Sequence, residues 1–245
     1  MMQRPTWLRH LRLAWLLPAL TCALPAMAQW SGKGEAGVAL ASGNTDTKSA
    51  NARVAVGYKS DAWENSASLA ANYVRTDGLT TARRWEVAAQ TRFNLSPRTF
   101  WFGGARYEED HFSGFDHQGV ISSGAGRKFI DRDTTHLAGQ IGVGFKFFQT
   151  IPTLTDPASK ETELGGVASL NFDHQLTMTT SIYDKFGAEF TSNNNFLQNE
   201  LGLAVKMTDR LALSLGYGVR HNTNPPAGFK KTDTLSTLNL VYEVK

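Results

Sequence analysis

Residues 211–220 read LALSLGYGVR, so Leu211, Leu213, Leu215, Tyr217 and Val219 alternate with Ala212, Ser214, Gly216, Gly218 and Arg220. A period of two places these sets on opposite faces of an extended strand, one greasy and the other small or polar. The alternation returns in Ala52, Val54, Val56 and Tyr58 against Asn51, Arg53, Gly57 and Lys59. It returns again in Trp85, Val87, Ala89 and Phe93 against Arg84, Glu86, Gln90 and Arg92, and in Ile141, Val143, Phe145 and Phe147 against Gln140 and Lys146. The polar faces carry full charges at mid-strand, as with Arg53, Glu86 and Glu200. A half-exposed soluble sheet accounts for one such strand, but a long series of them leaves more greasy surface than a soluble protein tolerates.

Extended along the chain, this periodicity predicts strands near residues 33–43, 48–59, 63–75, 83–93, 99–108, 118–129, 135–148, 163–172, 177–189, 196–207, 210–221 and 232–244. Most match the length that a tilted strand needs to cross a bilayer and exceed the usual length in soluble sheets. The connections include GNTD, TDGLTTA, EEDHFSGFDHQ, QTIPTLTDPASKE, TSNNN and HNTNPPAGFKK at one end, and SDA, NLSPR, IDRDT, DHQLT and TD at the other. From the third connection onward, those of the first set are read as longer than their neighbours. Long external loops opposite short periplasmic turns, with an even strand count, are the pattern of outer-membrane barrels. Many aromatics fall near strand ends, among them Trp30, Tyr58, Trp63, Tyr73, Trp85, Phe93, Trp101, Tyr107 and Tyr242, where interfacial girdles favour them. A lipid-exposed sheet must pair every amide, which favours closure. The expected fold is all-β: an antiparallel up-and-down transmembrane β-barrel of about 12 strands (10 to 14), monomeric, over residues 29–245.

Residues 1–28 read as a signal peptide. Arg4, Arg9 and Arg12 precede the apolar run LAWLLPALTCAL, and Ala26, Met27 and Ala28 form a small-residue cleavage site before Gln29. The run is too short, and too broken by Pro18, to span a membrane. Its Cys22 follows Ala19, Leu20 and Thr21, a poor fit to a lipid-attachment signal. Cleavage after Ala28 removes the one cysteine, and with it any disulfide, zinc-thiolate site or thiol nucleophile. The whole chain of 245 residues has a formal charge of +3, but the signal carries three arginines and no acid, so the remainder is neutral. Neutrality leaves no electrostatic case for nucleic acid. The expected location is the cell outer membrane of a Gram-negative envelope. The expected partners are outer-membrane lipid, the barrel-assembly machinery during biogenesis, and small solutes or ions.

Ser42, Gly43, Asn44, Thr45, Asp46 and Thr47, the block from Arg106 to Asp110 followed by Phe112 to Asp116, and the alternating strands to the C-terminus resemble the salt-induced outer membrane protein family of bacteria. The resemblance covers essentially all of the expected mature chain. It implies an outer-membrane barrel of unassigned role and supplies no catalytic residues. One departure is the C-terminus, Tyr242, Glu243, Val244 and Lys245, because outer-membrane barrels often end on an aromatic. Leu238, Leu240, Tyr242 and Val244 still alternate and offer the assembly machinery an apolar edge.

Three places could carry chemistry. Glu108, Glu109, Asp110, His111, Asp116 and His117 read as an external loop cluster, with donors for a hard or borderline cation. EF-hand spacing, HExxH and cysteine pairs are all missing, so a solvated or lumen-capping loop is the preferred reading and no metal or cofactor is expected. The histidines are dispersed and no GxSxG occurs, so no catalytic residues are assigned and an enzyme is not expected. The SGNTDT stretch is read as a hairpin turn in preference to a ligand loop. The lumen face remains, with Arg53, Glu64, Arg84, Glu86, Arg92, Arg106, Gln140, Lys146, Glu200 and Arg220 as lining candidates of mixed sign. About eight strands give a filled barrel and sixteen to eighteen an open one, so a twelve-strand lumen is either a narrow aqueous path or plugged by its own ion pairs. The expected role is passive: a small-solute or ion pore, or a structural envelope protein. The alternative is a soluble periplasmic lipocalin-like barrel that binds an apolar ligand, which requires the greasy faces to point inward.

Overall fold

The structure is a computed structural model that describes residues 29–41, 46–110, 112–154 and 157–244. The expected signal peptide, most of the SGNTDT stretch and His111 lie outside the described residues. Twelve strands run in order: β1 Trp30–Ala41, β2 Thr47–Lys59, β3 Trp63–Thr76, β4 Leu79–Asn94, β5 Thr99–Asp110, β6 Phe115–Arg132, β7 Thr135–Thr150, β8 Lys160–Gln175, β9 Thr180–Phe190, β10 Phe196–Lys206, β11 Leu211–Asn222 and β12 Thr232–Val244. Each pairs antiparallel with its sequence neighbours, and β1 pairs with β12, from Gly32↔Val244 to Ala36↔Leu240, to close the barrel. Closure satisfies the amides that an open sheet edge would leave bare in lipid. The chain is thus an all-β, antiparallel, up-and-down transmembrane barrel.

The alternation decides which face goes where. Val54, Val56, Leu69, Val87, Ile141, Val143, Phe145, Leu213, Leu215, Leu238 and Leu240 are all exposed on the outer surface, while the charged residues between them turn inward. This orientation removes the lipocalin-like alternative, whose core would need the apolar set inside. At one end of the barrel Trp30 packs against Tyr58 with ring centroids 5.1 Å apart, and Trp63 against Phe93 at 4.8 Å. At the other end Trp85 meets Tyr107 at 5.3 Å, and Tyr107 stacks on His117 at 5.9 Å. Along β3, the ten residue steps from Trp63 to Tyr73 span about 33 Å, or about 25 Å across the membrane at a tilt near 40°. That matches the apolar band of an outer-membrane barrel.

Two expected loops prove to be strand. The third connection shrinks to residues 77–78, where Asp77 (φ 49°) and Gly78 (φ 80°) make a two-residue turn. Both residues sit in the left-handed region that such hairpins need, and the Asp-Gly pair provides it at low steric cost. Beyond it, TDGLTTA continues the β3–β4 ladder. The fifth connection shrinks to residues 111–114, because β5 and the 18-residue β6 continue their pairing past a bulge at Glu108/Asp110. The expected loop-length contrast therefore fails at the third and fifth positions. The longest connections are residues 151–159 and 223–231, at the same end. There Gly114 lies under the last long connection, close enough that a Cβ on it would come within 2.8 Å of Pro226 and 3.0 Å of Phe229.

Candidate functional site: an ion-paired crosspiece in the lumen

The inward faces assemble three charged layers. Nearest the short-turn end, Lys128 Nζ donates to Glu64 Oε1 at 2.7 Å, Arg92 lies 3.9 Å from the same carboxylate, and Arg92 stacks over Phe100 at 4.7 Å. Arg92 Nη2 also donates to Gln140 at 3.4 Å. Phe100 needs the glycine across from it: a Cβ on Gly126 would sit 2.2 Å from its ring.

Midway, Arg53 Nη1 donates to Glu200 Oε2 at 3.1 Å, and Tyr183 donates to the other oxygen at 3.1 Å. Lys185 lies over the Tyr183 ring at 4.9 Å. Towards the long-loop end, a denser assembly spans the barrel. Arg220 Nη2 donates to both oxygens of Glu108, at 2.6 and 2.5 Å, and Gln118 donates to Glu108 at 3.0 Å. Arg106 donates to Glu189 through Nε and Nη2, at 3.0 and 2.6 Å, and its Nη1 lies 3.3 Å from Glu108 and 3.7 Å from Glu86. Lys146 Nζ lies 3.4 Å from Glu189 Oε2.

Phe196 organises this crosspiece. The cationic groups of Arg106, Lys146 and Arg220 stand 4.9, 5.5 and 5.0 Å from its ring centroid, within cation–π reach. Three cations converge there against the carboxylates of Glu86, Glu108 and Glu189, so the group is close to neutral. β5 and β11 stand opposite each other in the ring of twelve, which makes the Arg220–Glu108 bond a tie across the full width of the lumen. Arg220 Nη1 and Gln118 Oε1 are buried with no hydrogen-bond partner among the described residues, and Lys146 Nζ and Glu189 Oε2 have only each other, at ion-pair distance. Buried polar atoms in that state are sites where water or an ion would find partners.

The crosspiece does not fill the barrel. Two cavities of about 500 and 380 Å³ lie in the lumen. Arg84, Glu200 and Arg220 line the larger, Arg106 and Gln140 the smaller, and Arg53 and Glu86 lie on the wall of both. Of the expected lining residues, Lys146 is almost wholly buried behind Glu189, and Glu64 with Arg92 forms the layer at the opposite end. The expected loop cluster is dispersed by the strands. Glu108 points inward and is fully buried, whereas Glu109 points outward and accepts from Trp85 Nε1 at 2.9 Å and from Tyr107 at 3.2 Å. His117 pairs with Asp116 at 3.2 Å, and among the described residues no three His, Cys, Asp or Glu side chains converge as metal ligands. Period two separates Glu108 from Glu109 and prevents the cluster from closing on one ion. His136 pairs with Asp131 at 3.0 Å, while His174 and His221 contact Thr135 and Thr232, each at 2.8 Å.

Glu189, Phe196, Tyr183 and Lys185 were missing from the expected lining. Each could have been found by carrying parity inward from a charged neighbour. Phe196 shares its face with Gln198 and Glu200, and Phe100 and Phe102 share theirs with Arg106.

Residues 34–244 match the family described as protein of unknown function, DUF481, and the chain belongs to that family. It is 29% identical over 231 residues to the uncharacterized protein YdiY of Escherichia coli K12, across 90% of this chain and 86% of that one. In fold it is similar to an outer membrane channel from Pseudomonas putida F1, with a TM-score of 0.53 and 11% identity over 91% of this chain and 97% of that one. It is also similar to the NanC porin, with a TM-score of 0.50 and 11% identity over 87% and 97%.

Proposed function

We propose that the protein is a passive outer-membrane pore for small ions and polar solutes, narrowed by the crosspiece at Phe196. The observation that carries this reading is the pair of charged cavities flanking an ion-paired tie that contains unsatisfied polar atoms. Mixed charge along the lining implies weak ion selectivity, since neither sign dominates the field. The similar fold of a channel and a porin supports this reading. The chain reaches the membrane through a signal cleaved after Ala28, with connections 1, 3, 5, 7, 9 and 11 at the cell surface, and the assembly machinery engages the outward row Leu238, Leu240, Tyr242 and Val244. N-terminal sequencing of the mature protein should begin at Gln29.

The test is single-channel recording of purified, folded protein in planar bilayers. The wild type should give small discrete steps, and the charge-conserving double variant Arg106→Ala/Glu189→Ala should give steps several-fold larger. The Arg220–Glu108 tie favours a second reading, a closed structural barrel. Silence of both proteins would select it.

A further inference from the structure

Three cations stand on the outside of the barrel, on adjacent strands, where a soluble reading would never look for a site. Lys48 on β2, Arg75 on β3 and Arg83 on β4 all face outward and are exposed. Arg75 lies two residues beyond Tyr73, and Arg83 two residues beyond Trp85. This step lifts each charge about 5 Å above the upper aromatic level, to the height of lipid headgroups. Lys48 and Arg75 are direct register partners, and Arg83 sits opposite Tyr73 on the next strand pair.

Directly opposed like charges on one sheet face repel and weaken the pairing unless something of opposite sign lies between them. Nothing within the described chain does so: none of the three has an ion-pair partner among the described residues. Arg75 donates through Nε to the Gly78 carbonyl at 2.7 Å, which pins the guanidinium at the turn. The exposed carboxylates next along the same two strands, Asp46 and Asp77, lie one step beyond Lys48 and Arg75 towards the loop end, where Asp77 accepts from the Asp46 amide at 2.8 Å, and Glu109 on β5 is held by Trp85 and Tyr107. The three groups thus form a partly ordered cationic patch at one edge of the apolar belt, free of direct ion pairs among the described residues, with Asp46 and Asp77 on its loop side. Planar guanidinium and ammonium groups in that arrangement suit phosphate oxygens.

We propose that Lys48, Arg75 and Arg83 bind the phosphate of an outer-leaflet glycolipid against the outside of the barrel. The acyl chains of the lipid would run down the greasy faces of β2–β4, past Val54, Leu69 and Val87. The proposal rests on the orientation given under the proposed function, with the β3–β4 turn at the cell surface, and is independent of whether the lumen conducts.

The test is native mass spectrometry of the folded barrel released from micelles that contain either diphosphoryl lipid A or its dephosphorylated form. The wild type should retain the phosphorylated lipid preferentially. Lys48→Gln, Arg75→Gln and Arg83→Gln should each lower that preference about fivefold, and the triple variant should abolish it. The single variants keep the test open if the triple variant fails to fold. Equal retention of both lipids by the wild type, or an undiminished preference in the folded variants, would overturn the proposal. Labelling of Lys230→Cys in intact cells separates the two readings. Labelling with no lipid preference removes the lipid site alone, whereas labelling only after the outer membrane is breached removes the orientation and the site together.

Discussion

Two of the three ion-pair layers in the lumen differ in construction. At Phe196, the Glu108 carboxylate is fully buried and Arg106 and Glu189 keep about a tenth of their side-chain surface, with every charge answered by an opposite one. At Glu200, the bonded pair of Arg53 and Glu200 retains 30% and 35% exposure and borders the larger cavity. The same chemistry is structural where the walls exclude water and adjustable where they do not. A buried pair is costly to break because the surviving charge is stranded, while a pair open to water loses little when one member goes. The crosspiece therefore acts as a fixed tie and the Arg53–Glu200 pair as lining that can be exchanged.

Substitutions should reproduce this contrast in order of size. Glu108→Ala strands Arg220 and part of Arg106, and should lower the stability of the folded barrel by about 3–5 kcal/mol in denaturant titrations. An unchanged midpoint would mean that the crosspiece carries no structural load. Val54→Arg, one residue from a tolerated arginine but on the lipid face near the middle of the apolar belt, should cost about 2–4 kcal/mol. If Val54→Arg proved as harmless as the native Arg53, the inside and outside faces would be reversed. Gly126→Ala forces the Phe100 ring aside in the lower layer and should cost about 1–3 kcal/mol, and Phe100→Leu should relieve it. Arg53→Ala should cost no more than about 1 kcal/mol and act mainly on permeation, shifting selectivity towards cations.

Much of this architecture was legible because period two is a strong local signal. In residues 211–220 the alternation alone put Leu213 and Leu215 outside and Ser214 inside, and chain closure then required no further information. The turns were less legible. TDGLTTA and EEDHFSGFDHQ look like loops by composition, yet ladder hydrogen bonds carry both into strand, and polar strands above the membrane have no greasy face to announce them. The crosspiece was half visible. Arg106, Lys146 and Arg220 stood out as inward charges, but their common centre, Phe196, has no charge to mark it as lumen-facing. Only the register carried from β5 round to β11 brings β5, β7, β9, β10 and β11 to one point, and pairing at that distance along the chain leaves no local mark.

The most direct test of the central claim, that the greasy faces meet lipid and the charged faces enclose the lumen, is heat modifiability of the protein in carbonate-washed outer membranes. The account predicts a wash-resistant band that migrates faster unboiled than boiled. A protein released by the wash, with the same mobility in both samples, would contradict it and place the apolar faces in a water-soluble core.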